Sequence, residues 1–444
     1  MIHIDYRKGR KEGIMNRDFV YPADVSTQSL GSLRVNVTSL LQSRPIKDAT
    51  VTVSLSSDPG NVVEQLKTDD NGKTEVIELS APNIEYSLEP SAEQPYSEYD
   101  VNVTVPGYEG FFIRGVQILP TVTAIQNAQL VPRENRQGTG TGTKSNKSEE
   151  EYTIGPNVLY GNYPPKIAEA EIKPTGGNEI VLSQVVIPEY IVVHNGTPTD
   201  KNAQNYYLKY KDYIKNVASS EIYATWPEAT IQANVLAIQS FTLNRVYTEW
   251  YRNKGYNFTI TSSTAYDHKF IPDRNIFDTI SNVVDTIFSN YLSFPNEKQP
   301  ILTQYCDGRN VTCPNWMTQW GSKDLGAQGY SAIEILRNFY GQSMYINTAD
   351  EISGIPSSWP GVTLEIGSRG EKVRTLQNQL NVISGAYPLI PKVAEDGVFG
   401  EATSEAVSVF QRIFDLPETG TVDFKTWYQI SGIYVAVSRI AELH

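Results

Sequence analysis

Apolar and polar side chains alternate with a period of two through residues 33–39, 49–55, 73–79, 99–105 and 123–130, and Pro59-Gly60, Asp70-Asn71-Gly72 and Pro106-Gly107 punctuate these runs. Short strands at this spacing predict an antiparallel β-sandwich over residues 30–133, preceded by an N-terminal extension at 1–29. The pattern then lapses. Residues 134–151 are Gly, Thr, Ser and charge with almost no apolar side chain, so they cannot bury enough surface to order themselves. A flexible, protease-accessible linker is expected there. Residues 152–184 mix Pro, Gly and Asn without periodicity, as an extended segment lying along a neighbour would, so the whole connector spans 134–184.

Strand character returns at 185–194, and the period then changes to that of a helix. Ile214, Val217, Ala218 and Ile222 share one helical face that ends beside Glu221, and the pattern breaks at Trp226-Pro227. Beyond the break, Ile231, Val235, Ile238, Phe241 and Trp250 form the stripe of a long second helix. Thr225 is available as its N-cap, Pro227 stands near its first position and Gly255 is a stop. A further helix is expected over 276–292 with Val283, Val284, Ile287 and Phe288 inward, and a strand over 301–306. These elements predict an α+β domain at 185–353. After a short Pro- and Ser-containing linker at 354–360, two turn-then-helix units at 364–381 and 396–411 share a core of Val373, Leu376, Leu380, Val407 and Phe410. They predict a small helical bundle over 361–444. The fold class is multidomain α+β.

Composition narrows the function classes. The chain has 444 residues, enough for several cores, and a formal net charge of −13 that argues against nucleic acid as a partner. No apolar run reaches the roughly 18 residues of a membrane span. Residues 1–19 are charged and lack an apolar signal-peptide core, so no Sec signal is expected. The 27 tyrosines suit carbohydrate recognition, because the ring stacks while the hydroxyl hydrogen-bonds. The two cysteines, Cys306 and Cys313, are expected as reduced thiols, with a disulfide as the alternative and a metal site behind both.

The candidate chemistry centres on Glu221, a single carboxylate at the end of a buried helical face. Its apolar neighbours Ile222, Tyr223 and Trp226 would raise its pKa and suit it to act as an acid. His194, at the end of a strand, is expected to be a loop histidine.

Ser220-Glu221-Ile222, Trp226-Pro227-Glu228-Ala229, Gln232-Ala233 and Gln239-Ser240 resemble the catalytic segment of the stage II sporulation protein D family. Met317-Thr318-Gln319-Trp320-Gly321-Ser322, with Gln328-Gly329-Tyr330, Glu334-Ile335-Leu336 and Phe339-Tyr340, resembles that family's closing motif. Its enzymes are peptidoglycan lytic transglycosylases. The resemblance implies that Glu221 is the catalytic acid and that Tyr266, Asp267, Gln304, Tyr305, Asp307, Gln319 and Trp320 contact the sugar. Some relatives hold zinc near the cysteine loop, but no His lies between His268 and His444 here, so neither metal nor other cofactor is expected.

Residues 30–133 resemble a carboxypeptidase regulatory-like or prealbumin-like domain through Asp48-Ala49-Thr50-Val51 and Thr68-Asp69-Asp70-Asn71-Gly72-Lys73-Thr74. Residues 361–444 resemble the peptidoglycan-binding type 1 domain, down to Leu416, Gly420, Val422 and Thr426-Trp427. This domain order is similar to that of the clostridial spore cortex-lytic enzymes. It implies a zymogen whose N-terminal region is removed at germination by a subtilisin-like Csp protease, cutting between Arg133 and Ile187. It also implies spore cortex peptidoglycan as substrate and a location in the cortex or coat region. The alternative is a non-catalytic spore or cell-wall protein that only binds peptidoglycan.

Overall fold

The computed structural model describes residues 29–40, 43–133, 150–168, 181–349, 351–354 and 359–438. The N-terminal extension and most of the expected linkers lie outside the described residues.

The period-two runs form a sandwich. β1 (Ser29–Ser39), β4 (Ile77–Ala81) and β7 (Thr123–Leu130) make one sheet. β2 (Thr50–Leu55), β3 (Asp58–Lys67), β5 (Ser97–Thr104), β6 (Phe111–Ile118) and β8 (Glu150–Thr153) make the other, and a short helix α1 (Glu85–Leu88) follows β4. Leu33, Val35 and Val37 point inward from β1 and meet Val51, Val53, Val101, Val103 and Ile113 in the core. The expectation of a wholly antiparallel sandwich needs correcting, since β1 runs parallel to β7 and β6 runs parallel to β8. Alternation decides which face a strand buries and says nothing of the direction of its neighbour.

Glu150–Thr153 therefore belongs to the sandwich, not to a linker. Residues 154–168 leave β8 without regular structure and lie against the next domain.

That domain is built on two helices, α2 (Tyr210–Glu221) and α3 (Glu228–Tyr247). α3 is buried on all sides, and most of its polar groups are tied off internally, although Gln239 Oε1 has no partner among the described residues. Asn234 Nδ2 donates to Thr230 O and Ser322 Oγ, Gln239 Nε2 to Ile287 O and Asn244 Nδ2 to Pro300 O, while Ser240 Oγ accepts from the Leu292 amide. A helix so enclosed is a fixed mount. Gly326, in α5 (Gln319–Ala327), lets that helix close on α3, because a Cβ there would collide with Thr230 Oγ1.

Several boundaries differ from expectation. The long helix ends at Tyr247, and Trp250 leaves it to pack with Tyr251 and Phe258 in a separate cluster. Thr225 does not cap α3; its hydroxyl donates to Ser87 Oγ across the sandwich interface. The strand expected at 185–194 breaks around Pro188 into β9 (Val186–Ile187) and β10 (Tyr190–His194), as a residue lacking an N–H dictates. β10 pairs with β11 (Asn205–Lys209) and β12 (Ile260–Thr261). The helix expected over 276–292 is confined to α4 (Asp278–Ile287), between β13 (Ile276–Phe277) and β14 (Asn290–Ser293). The strand expected over 301–306 shrinks to β15 (Tyr305–Cys306), beside β16 (Met317–Thr318).

The sandwich and this domain share a sheet. β13 pairs with β7 through Ile276↔Ile125 and Phe277↔Ala124. Around this seam the buried Arg274 donates to Gln117 Oε1 at 2.9 Å, and Asn275 exchanges hydrogen bonds with the Gln117 backbone.

The C-terminal helices α7 (Glu371–Ile383), α8 (Glu401–Ile413) and α9 (Phe424–Ser438) follow α6 (Ala332–Tyr340) and the strands β17 (Tyr345–Thr348) and β18 (Glu351–Ile352). Val373, Leu376, Leu380, Val407 and Phe410 are all fully buried, as expected, together with Trp427. The bundle docks on both other domains. Phe424 and Tyr428 of α9 pack on Phe288, and Asp415 accepts from Arg34 and Lys73 of the sandwich.

Candidate active site

Glu221 is the last residue of α2, and its side chain is buried at 2% exposure. Its carboxylate is gripped from both sides. The Lys269 backbone N–H donates to Oε1 at 2.6 Å, and the Tyr305 hydroxyl donates to Oε2. The Glu221 carbonyl accepts from Gln319 Nε2 at 3.1 Å, which fixes the helix end to α5. Burial pushes the Glu221 pKa above its ordinary value of 4.5, against the opposing pull of Lys166, the Tyr305 hydroxyl, and the Lys269 amide and ammonium.

The carboxyl opens onto a cleft of ≈ 440 Å³. Its lining includes Tyr305, Asp307, Gln319 and Asn310 to Thr312. Residues of the segment from Val158 to Lys166, which leads out of the sandwich, line it as well.

The other predicted contacts divide sharply. Gln319 lines the cleft, and its Oε1 is buried without a partner among the described residues. Tyr305 also lines it, but as the group that holds Glu221. Asp267 also lines the cleft, with a carboxylate that is engaged within the chain. One oxygen binds Arg245 Nε at 2.9 Å, and the other accepts from Tyr251 at 2.5 Å and from both the amide and the hydroxyl of Thr261. Asp307 is similarly engaged, accepting the amides of Arg309, Asn310 and Val311, so it organises the loop. Gln304 is turned to the chain itself, donating to Ile167 O and accepting from Tyr340 at its backbone carbonyl. Tyr266 is half-buried beside the cleft region and is not among its lining residues. Trp320 is buried against Tyr223 and Trp226, at 5% exposure, away from the lining.

The cysteines are not reduced thiols. Cys306 and Cys313 form a disulfide that closes the loop along the cleft wall. Among the described residues, no group of three or more His, Cys, Asp or Glu is placed to hold a metal ion. His194 is a structural histidine, bonded to Asn205 and the Asp200 carbonyl and stacked on Phe258.

The sequence reading missed several neighbours of Glu221. His268 is fully buried, bonded through Nδ1 to Tyr213, stacked on Tyr305 and tilted against Phe241. Burial, with Lys166 and Arg245 nearby, drives its pKa well below 6.5 and keeps it neutral. Lys166 places its ammonium over the rings of Phe241 and Tyr305, at 4.5 and 4.9 Å from their centroids, and donates to the Asp267 carbonyl. His268 directly follows the polar run ending at Asp267, which was the available signal for it. Lys166 lies in an aperiodic Pro-Pro-Lys stretch that carries none.

Residues 369–430 match the family described as a putative peptidoglycan binding domain. The chain is thus a modular, cell-wall-related protein with peptidoglycan as a partner. Among solved structures it is similar to the SleB N-terminal domain, at 30% identity over 17% of this chain and 99% of that one, with a TM-score of 0.16. It is also similar to the minor pilin GBS52 of Streptococcus agalactiae, at 12% identity over 26% of this chain and 49% of that one (TM-score 0.19). Wild-type catechol 1,2 dioxygenase from Acinetobacter radioresistens gives 16% identity over 29% and 59% (TM-score 0.17). No curated protein matches.

Proposed function

We propose that this chain is the zymogen of a lytic transglycosylase acting on spore cortex peptidoglycan, of the kind exemplified by the clostridial enzyme SleC. The observation that carries the reading is the state of the cleft's carboxylates. Glu221 is buried with a raised pKa, while Asp267 is committed to Arg245 and Asp307 to backbone amides. A hydrolase needs a second carboxylate to activate water or attack the sugar. A transglycosylase needs one group used twice.

Glu221, protonated, donates to the glycosidic oxygen as its bond to C1 of the muramic residue breaks, and the leaving sugar departs as an alcohol. The carboxylate then takes the proton of the C6 hydroxyl of the same muramic residue as O6 bonds to C1. A 1,6-anhydro end forms, the acid is regenerated and no water enters. The Tyr305 hydroxyl and the Lys269 amide orient the carboxyl and stabilise its ionised form between the two steps.

Zymogen storage is supported by the walls of the cleft. Residues of the 158–166 segment line it, Asn157 Nδ2 donates to the carbonyls of Ser219 and Ile222, and Trp226 Nε1 donates to Ser87 O at 2.8 Å. The N-terminal region thus wraps the helix end that carries Glu221. Its removal by a Csp-type protease between Arg133 and Ile187 would open the site, and the C-terminal bundle would keep the enzyme on its substrate.

The test is mass spectrometry of fragments released from decoated spore cortex by the intact chain, by a chain beginning near Ile187 and by its Glu221→Gln variant. Anhydromuramic ends from the shortened form alone, lost in the variant, are expected. Reducing ends would indicate a hydrolase, and binding without release would favour a structural peptidoglycan-binding protein.

A further inference from the structure

We propose that the space over the faces of Phe241 and Tyr305, beside Glu221, is a subsite for a cationic sugar, and that Lys166 occupies it in the intact chain as an internal stand-in for that cation. The inference rests on the glycosidic reading of Glu221 and adds to it where the reacting ring sits and what keeps it out.

Geometry identifies the subsite. The Lys166 ammonium lies 4.5 Å from the centroid of Phe241 and 4.9 Å from that of Tyr305, a distance at which an aromatic face attracts a cation. Tyr305 is also the residue bonded to Glu221, so the ammonium stands where the carboxyl acts. Glycosidic cleavage passes through an oxocarbenium-like state, a flat sugar with positive charge at C1 and the ring oxygen. Two ring faces and a carboxylate are what such a species needs. Lys166 presents the same charge to the same groups.

The lysine is delivered by a built strap. Residues 154–167 have no helix or strand of their own, yet they are pinned at both ends. Val158 N–H donates to Ser220 O at 2.9 Å and Ile167 N–H to Ala265 O at 2.7 Å, while Thr264 Oγ1 donates to Pro164 O at 3.0 Å. Pro164 and Pro165 immediately precede Lys166 and fix their own φ angles, which limits how far the ammonium can stray.

The charges around the site have a second consequence. The groups facing it are the cations Lys166, Lys269 and Arg245, the carboxylates Glu221 and Asp267, the neutral His268 and the phenols Tyr213 and Tyr305. Arg245 is paired with Asp267. Lys166 and Lys269 both favour ionised Glu221, and Lys166 exerts the larger pull of the two. With Lys166 in place the carboxyl is blocked and also held back from carrying the proton it must donate. Withdrawal of the strap would relieve both.

The experiment uses the full chain with Lys166→Ala, which opens the space, and Lys166→Met, which removes charge while keeping bulk. Calorimetry with a protonated N-acetylglucosamine-configured iminosugar is paired with its neutral lactam analogue, and ¹³C NMR follows the Glu221 carboxyl. Lys166→Ala is expected to bind the iminosugar at least about tenfold more tightly than the unaltered chain, with a smaller gain for the lactam. Adding Glu221→Gln should cost most of that gain. Lys166→Met should move the Glu221 titration upward without opening the site.

Equal binding by the unaltered chain and Lys166→Ala, or no binding by Lys166→Ala, would overturn the proposal whatever the titration does. The two readings fail separately. Glu221-dependent anhydro products without any effect of Lys166→Ala would sink the subsite alone. Iminosugar binding gained in Lys166→Ala, with no glycan cleaved by the shortened chain, would sink the transglycosylase and leave a cation subsite.

Discussion

The phenol of Tyr305 donates its hydrogen bond to Oε2 of Glu221, joining the last residue of α2 to the strand that enters the disulfide loop. Two segments distant in sequence thereby set one carboxyl. Because the bond favours the ionised form, Tyr305→Phe is expected to raise the Glu221 pKa further. In the chain freed of its N-terminal region, the high-pH limb of the rate profile should move upward. The maximal rate should fall by about tenfold or more, since a hydrogen bond to a charged group contributes about 1.5–3 kcal/mol. An unchanged limb would remove Tyr305 from the machinery.

Glu221 itself is predicted to cost stability. Its folded-state pKa is raised by burial above the ordinary 4.5, so the native chain holds its proton more tightly than the unfolded chain does. The stabilisation present below pH about 4.5 is lost as pH rises through the folded value, at about 1.4 kcal/mol for every pH unit that separates the folded from the unfolded pKa. Glu221→Gln, which titrates in neither state, should therefore melt higher than the unaltered protein at pH 7–8, and the advantage should vanish near pH 4. Thermal melts across that range check the sign.

The Cys306–Cys313 disulfide should stabilise the fold as well as the cleft wall. With a sequence separation of 7, chain-entropy arguments give about 2.5 kcal/mol. The Cys306→Ser/Cys313→Ser variant should lower the denaturation midpoint accordingly and reduce activity of the shortened chain, because Tyr305 immediately precedes the bridge. Thiol titration should find no free thiol before reduction of the unaltered chain and two after it.

The seam between the sandwich and the central α+β domain is predicted to depend on Gln117. Burial brings the Arg274 pKa down to about 10, and Gln117 Oε1 is its side-chain acceptor across the seam. Gln117→Ala leaves a buried guanidinium short of a partner, at a cost of about 1.5–3 kcal/mol. The sandwich should then unfold or separate earlier. Calorimetry resolving two transitions where the unaltered chain shows closer ones, with faster proteolysis, is the expected outcome.

Much of the architecture was legible from residue pattern. The alternation of Leu33, Val35 and Val37 marked the sandwich, and the helical spacing of Val373, Leu376 and Leu380 marked the C-terminal core. Both depend on local periodicity, which one-dimensional order carries. Glu221 at a helix end before Trp226-Pro227 was equally visible. The boundaries that failed are those where tertiary contacts overrode local preference. Thr225 gave its hydroxyl to Ser87, and Ile276–Phe277 left a helical stripe to extend the sandwich sheet.

The chain order by itself determined the domain succession, the C-terminal bundle and a single acid poised at a helix break, because each is a local arrangement of apolar spacing and turn residues. Only the tertiary structure decided which carboxylates are spent and what faces the remaining one. Asp267 looked available until Arg245, Tyr251 and Thr261 closed on it, and Lys166 was silent until folding laid it across Tyr305. Charge pairing and burial arise between residues far apart along the chain, and neither has a period to read.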